Sequence, residues 1–104
     1  MTVRCEPTAA GAAVGAQVVL AMAARVGIPP LAADRLRGDV LEALQAAKAL
    51  VELRCSACDD ALSIAISTPG EGLEAVKGAL DGHGAEIADG AVVLVSRRTP
   101  LRSV

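Results

Sequence analysis

Residues 31–48 constrain the fold most, because they form the longest stretch with clear helical periodicity. Their apolar side chains recur at spacings of three and four residues, which places them on one face of a helix. Pro29 and Pro30 precede the stretch, and proline is tolerated at a helix start because its missing N–H has no partner there. We therefore expect a central helix with one buried face. The residues of that face are Leu36, Val40, Ala43, Leu44 and Ala47.

A second face of this helix is centred on a single carboxylate, Glu42, among small and amide side chains. Two interpretations stay open for Glu42. It could act as a base at a pocket, or it could be an ordinary helix carboxylate that is solvated or paired with Arg35 or Lys48. The second is favoured, because isolated carboxylates are usually exposed.

The composition excludes several classes of function. Hydrophobic residues make up 53% of the 104 residues, yet Phe, Tyr and Trp are absent. The core must be built from aliphatic side chains and alanine, which predicts either modest stability or stabilisation by self-association. Binding of single-stranded nucleic acid uses aromatic stacking platforms, and none exist here. The net charge of −2 gives no electrostatic case for nucleic acid or an anionic membrane. We expect Arg97, Arg98 and Arg102 to form a solvated tail.

The first helix is expected at Ala9–Val26, with Thr8 as its N-cap and Gly27 as its stop. This apolar stretch could also be a signal h-region or a short membrane span. It contains Gln17 and consists mostly of alanine and glycine, which favours a buried or half-buried helix. We expect a cytoplasmic protein with reduced thiols. The predicted inner stripe consists of Val14, Val18, Ala21, Met22 and either Arg25 or Val26.

The alternation of apolar and polar residues, and the breaks at Gly and Pro, predict the remaining elements. Asp89-Gly90 is a strong signal for a tight hairpin. The order indicates an α+β two-layer sandwich, with a mostly antiparallel sheet and about three helices on one face, in a single domain spanning 1–104. The predicted elements are an edge strand within 1–7, strands at 50–55 and 61–67 around a turn at 56–60, a helix at 72–81, and strands at 85–87 and 91–98 that end before Pro100.

Cys55 and Cys58 form a Cys-x-x-Cys, which could be a redox pair or half of a zinc site. A zinc site needs four ligands, and Cys5 and His83 are the remaining candidates. A redox pair normally lies at a helix N-terminus, which lowers the thiol pKa, whereas this pair falls in a predicted strand and turn. We therefore favour a small buried hydrophobe at position 55, followed by a turn residue at 58. His83 stands between two glycines at a helix C-terminus, where a cap or surface role is expected and no metal site is predicted.

Three stretches together resemble the anti-sigma regulatory factors of the serine-kinase type, within the histidine-kinase-like ATPase superfamily. Nearly the whole chain is covered in order, and the closing stretch DGAVVLVSRR is similar to the last strands of that family. The three stretches are VGIPPLAADRLRGDVLEALQAA (26–47), ALVELRCSACDDALSIAIS (49–67) and GEGLEAVKGALDGHGAEI (70–87).

The resemblance implies a nucleotide site, with Glu42 as catalytic base and Thr68, Gly70 and Gly72 at the cofactor. In the family an Asn follows the Glu by four residues and holds Mg²⁺, whereas this chain has Ala46. Thr68 stands where the family has the Asp that accepts from the adenine amine. The lid before the last helix is missing, and Glu71 lies where phosphate would approach.

Because the metal ligand, the adenine acceptor and the lid are all missing, we predict that the chain keeps the fold of the family but does not bind a nucleotide. We expect a non-catalytic regulator that binds a protein, such as a sigma factor, an anti-sigma antagonist or a second copy of itself. We expect no cofactor, no nucleic acid and no membrane. The alternative is a minimal ATP-binding serine kinase with Mg²⁺, in which Glu42 is the base.

Overall fold

Residues 1–97, described by a computed structural model, form five strands and three α-helices. Each strand is antiparallel to its neighbours, in the order β1-β2-β3-β5-β4. The predicted α+β class with an antiparallel sheet is confirmed. The elements are β1 (Thr2–Cys5), α1 (Ala9–Val26), α2 (Pro30–Ala46), β2 (Val51–Cys58), β3 (Ala61–Ser67), α3 (Gly72–Ala79), a 3-10 turn (Asp81–His83), β4 (Glu86–Ala88) and β5 (Ala91–Arg97).

One face of the sheet is buried and the other is open. In β3 the side chains of Leu62, Ile64 and Ile66 are fully buried, whereas the intervening residues are not. This is the alternation expected of a strand covered on one side only. The helices supply the cover, since Val19 of α1 and Val76 of α3 belong to the same buried cluster. The arrangement is compatible with the predicted two layers.

Both tight hairpins turn on two residues. Cys58 pairs with Ala61, so the first turn consists of Asp59 and Asp60 alone. The predicted turn at 56–60 was too long and the strand at 50–55 too short, because Asp59 adopts a φ of 51°, which aspartate tolerates better than most residues. The second turn is the predicted Asp89-Gly90, with positive φ at both positions, and this prediction is confirmed.

Helix α1 begins and ends as predicted, but its inner stripe was predicted wrongly. The Thr8 hydroxyl accepts from the Gly11 N–H at 3.0 Å, and Gly27 ends the helix with a φ of 91°. Val14, assigned to the interior, is 56% exposed, and Ala21 is also exposed. Of the predicted stripe, only Met22 and Val26 are buried. The buried residues are Ala12, Gly15, Ala16, Val19, Met22, Ala23 and Val26.

The cause is the close approach of α1 to its neighbours. A methyl group on Gly15 would lie 2.6 Å from Leu44 Cδ1 and 2.8 Å from Cys5 Sγ. The helix therefore packs through its smallest side chains, whereas the prediction followed the largest ones. This orientation leaves Val14 and Ala21 on the outside.

The predicted core face of α2 is confirmed, since its five residues are all buried. The helix ends at Ala46 rather than at 48, because Lys48 has a φ of 54° that no helix can include. Helix α3 ends at Ala79, two residues before the predicted end, and passes into the 3-10 turn. Strand β4 starts one residue later than predicted. Arg98, Pro100 and Arg102 lie outside the described residues.

Helix α1 is long and apolar enough to span a membrane by length and composition alone. Its buried residues, which make up 39% of the helix, pack into the core cluster. Of the two expected states, buried and half-buried, the packing agrees with the half-buried one.

Candidate functional site

Glu42 lies on the solvent side of α2. Its side chain is exposed and forms no ion pair with another residue of 1–97, including the expected partners Arg35 and Lys48. Ala46, one turn further along the same face, is partly buried and offers no ligand atom. This face of α2 therefore presents one solvated carboxylate.

The segment between β3 and α3 has four residues, from Thr68 to Glu71. Thr68 is 8% exposed, and its hydroxyl donates to the Leu50 carbonyl across a long 3.4 Å contact. Gly70 has a φ of 72°, which glycine adopts without strain, and a methyl group there would meet nothing within 4 Å. The segment is a short turn with Thr68 facing inwards.

Gly72 brings the start of α3 against the end of α2. A methyl group on Gly72 would lie 2.9 Å from the Ala47 carbonyl oxygen and 2.9 Å from Thr68 Cγ2. Thr68, Gly72 and the last turn of α2 therefore meet in direct contact. Glu42 lies more than one helical turn before Ala47, on a different side of α2.

A polar contact also joins α2 to the segment after α3, at the opposite end of α3 from Gly72. His83 Nε2 lies 2.6 Å from Asp39 Oδ2, which joins the 3-10 turn after α3 to the middle of α2. Val76 and Leu80 of the α3 segment are fully buried between these two contacts. We call this region the α2–α3 flank, defined by Asp39, Ala47, Gly72, Val76 and His83. The expected cap or surface role of His83 is extended by this inter-helix contact.

The opposite side of the helical layer is open. A groove of about 510 Å³ runs between the N-terminal residue and the outer side of α1, and its lining is almost entirely apolar. The exposed side chains of α1 carry no charge from Ala9 to Ala24. The residues of this apolar groove are Met1, Ala13, Val14, Gln17, Val18, Ala21, Met22 and Arg25.

Two smaller depressions lie elsewhere. One of about 310 Å³ is lined by Arg4, Glu52, Thr68 and their neighbours. Another of about 320 Å³ lies on the open face of the sheet, between Arg54 and Asp89. Glu42, Gly70 and Gly72 line neither of these depressions nor the apolar groove. The structure thus does not gather the four residues of the predicted nucleotide site around any of these three spaces.

The Cys-x-x-Cys lies within β2, where residues three apart point to opposite faces. Cys55 is buried in the core and Cys58 is exposed on the other side. Position 55 is the buried hydrophobe that was predicted, whereas Cys58 belongs to the strand and not to a turn. No group of three or more potential metal ligands occurs among residues 1–97.

Burial, by desolvation of the thiolate, raises the pKa of Cys5 and of Cys55. The Gly15 backbone N–H opposes this for Cys5, and the N-terminal charge opposes it for Cys55. Both thiols therefore stay protonated and unreactive at neutral pH.

Sequence reasoning missed the apolar groove. The available signal was the run of uncharged residues from Ala9 to Ala24, which supplies more apolar surface than one helix face can bury. The sequence does not indicate which face packs inwards, because alanine also occupies the exposed positions 13, 21 and 24.

No protein-family model matches this chain, and a search of curated proteins finds no match either.

Proposed function

We propose that this protein is a non-catalytic regulator that acts by binding another protein, on a scaffold similar to that of the serine-kinase anti-sigma factors. A sigma factor or an anti-sigma antagonist in the cytoplasm is the partner class that the resemblance favours. A second copy of the chain is the other candidate.

The observation that carries this proposal is the contact of Gly72 with Ala47 and Thr68. In the resembling family a nucleotide occupies the region between the corresponding helices. Here the α3 backbone lies against the α2 carbonyl, so that even one added methyl group would approach to 2.9 Å. A triphosphate needs a cradle of free N–H groups at a helix N-terminus, and this close packing is unfavourable for one.

Two features of the chain support the same conclusion. Ala46 supplies no oxygen for Mg²⁺, and the four-residue connection from Thr68 to Glu71 is too short for a lid. Glu71 also adds a negative charge beside the start of α3. The minimal serine kinase with Glu42 as base would require each of these obstacles to be overcome by rearrangement.

Mg-ATP and Mg-ADP titrations followed by thermal unfolding separate the two functions. A ligand that binds only the folded state raises the melting temperature as its concentration exceeds its Kd. We expect no rise at millimolar nucleotide. A saturable rise, together with phosphate transfer that is lost in Glu42→Gln, would instead establish the kinase.

Association is tested by affinity capture from the lysate of the source organism and by light scattering of the purified protein. We expect a reproducible partner in stoichiometric amount. A strictly monomeric protein that captures no reproducible partner would contradict the proposal.

A further inference from the structure

Strand β1 forms one edge of the sheet and leaves half of its backbone groups unpaired within the described fold. Met1 and Cys55 exchange both of their backbone hydrogen bonds, at 2.7 and 2.8 Å. In an antiparallel pair such bonded pairs alternate with unbonded ones, so Val3 also bonds to β2. The N–H and C=O groups of Thr2 and Arg4 therefore point away from the sheet. An edge of this kind is a template for an additional strand.

The other edge of the sheet, strand β4, has fewer unpaired backbone groups for an additional strand. Strand β4 has three residues, and Ala88 flanks the two-residue turn, so its backbone groups bond to Ala91. Only Ile87 then directs its backbone groups outwards. Two unpaired residues on β1 against one on β4 make β1 the better edge for pairing.

The side chains at the β1 edge differ between the two faces of the sheet. Val3 lies on the helical face, where it packs against the core cluster while remaining partly exposed. Beside it the apolar groove continues through Met1, Val14 and Val18. Arg4 is exposed on the open face. An incoming strand would therefore meet apolar surface on one side and positive charge on the other.

The charge at this edge selects among possible occupants. Glu52 lies opposite Arg4 in register, but its carboxylate pairs with Arg54 at 3.6 Å, and Arg4 forms no ion pair with residues 1–97. A second copy could pair its own β1 with this edge in antiparallel fashion. If the outward backbone groups of Thr2 and Arg4 were all bonded, Thr2 of each molecule would lie opposite Arg4 of the other. Both Arg4 side chains would then lie on the same face, close enough to repel. An acidic strand would instead place a carboxylate next to Arg4, in addition to the carboxylates of Glu52 and Glu6 that already lie near this edge.

We propose that the β1 edge and the apolar groove bind an extended segment of another protein, which adds a sixth strand. This segment carries an acidic side chain next to Arg4 and an apolar side chain next to Val3. The inference rests on the proposed function, since it names the surface and the chemistry of the partner.

The probe is a short capped peptide of alternating Glu and Val, titrated into the isotope-labelled protein and followed by NMR. We expect the largest amide shifts at Thr2 and Arg4, and slower hydrogen exchange of these two amides. A peptide of alternating Lys and Val should bind about tenfold more weakly, because it brings like charge to Arg4. N-methylation of the Glu residues should abolish binding if main-chain pairing carries it.

Three variants make the test specific. Arg4→Glu should reverse the preference, so that the Lys peptide binds better than the Glu peptide. Arg35→Glu makes the same charge change on the exposed side of α2 and should leave the preference unchanged. Thr2→Pro removes one outward N–H without removing a bond to β2, and it should weaken binding while the far-UV spectrum stays that of the parent.

The proposal is overturned by equal binding of both peptides, by shifts confined to another surface, or by no shifts at millimolar peptide. Concentration-dependent shifts at Thr2 and Arg4 without peptide would show that a second copy occupies the edge, which also overturns it. None of these results bears on nucleotide binding or on capture of a partner at another surface, so failure here is distinguishable from failure of the proposed function.

Discussion

The two sides of the helical layer, the α2–α3 flank and the outer side of α1, are both rich in small and aliphatic residues. They differ in how far other parts of the fold cover them. On the α2–α3 flank, Gly72 packs against Ala47, and His83 contacts Asp39 at 2.6 Å. On the other side, α1 has no helix beyond it in the described fold, and Val14 remains 56% exposed. The aliphatic surface of α2 is thus covered because α3 packs against it. The aliphatic surface of α1 remains exposed because it lies at the edge of the sheet.

This difference matters for the proposed function because, on the proposed anti-sigma-like scaffold, the closed flank would be the nucleotide region. The open side, by contrast, combines an unpaired strand edge with the apolar groove. A contiguous exposed apolar surface typically marks a binding region. Function is therefore expected at β1 and α1 rather than at α2 and α3.

The largest expected effect on stability is the difference between valine-to-alanine substitutions on the buried and the exposed face of α1. Val19 is fully buried, so Val19→Ala should lower the free energy of unfolding by about 2 to 3 kcal/mol, through lost burial and a residual cavity. Val14→Ala is the matched control, and it should change stability by less than about 0.5 kcal/mol. Urea unfolding monitored by circular dichroism measures both. A larger loss for Val14→Ala would restore the stripe predicted from the sequence.

A second variant probes the closed flank. Gly72→Ala should cost about 2 kcal/mol, because its methyl group would meet the Ala47 carbonyl, which cannot move without shifting the backbone. Gly78→Ala adds the same methyl group to the same helix where nothing lies within 4 Å. It should stabilise the protein by about 0.5 to 1 kcal/mol. If both variants behaved alike in urea unfolding, α2 and α3 would not be in close contact.

The sequence was sufficient for the elements that strong local signals define. Thr8 and Gly27 delimit α1, alternation delimits β3, and Asp89-Gly90 sets the last hairpin. These features depend on neighbouring residues only. The boundaries of these elements can therefore be predicted without knowing which residues pack against them.

The orientation of α1 could not be predicted because it depends on distant residues. The space at Gly15 is set by Leu44 and Cys5, which belong to other elements. The His83–Asp39 contact likewise joins residues that are 44 positions apart. For the same reason, two interpretations of Glu42 were open from the sequence, and the exposure of its side chain is known only from the fold.

The smallest expected effect concerns the thiols. Cys58 should react first with a disulfide reagent, Cys5 second through opening of the β1 edge, and Cys55 last, because it lies on a strand paired on both sides. Cys58→Ser should remove the fast phase alone. Rapid reaction of Cys55 would contradict this order.

The same thiols give a weak dependence of stability on pH. Burial raises the pKa of Cys5 and Cys55 in the folded state, so folding favours the protonated thiols. The free energy of unfolding should therefore be constant below about pH 8 and fall as the pH rises above the ordinary thiol value of about 8.5.

Residue-resolved hydrogen exchange tests the contrast between the closed and the open side most directly. We expect the amides of Ala47, Val76 and Leu80 to be protected nearly as strongly as those of β3, because the α2–α3 flank opens only with the core. The amides of Thr2 and Arg4 should exchange almost as fast as an unfolded chain. Fast exchange at Ala47 and Val76, with strong protection at Thr2 and Arg4, would place the accessible surface on the opposite side and contradict the account.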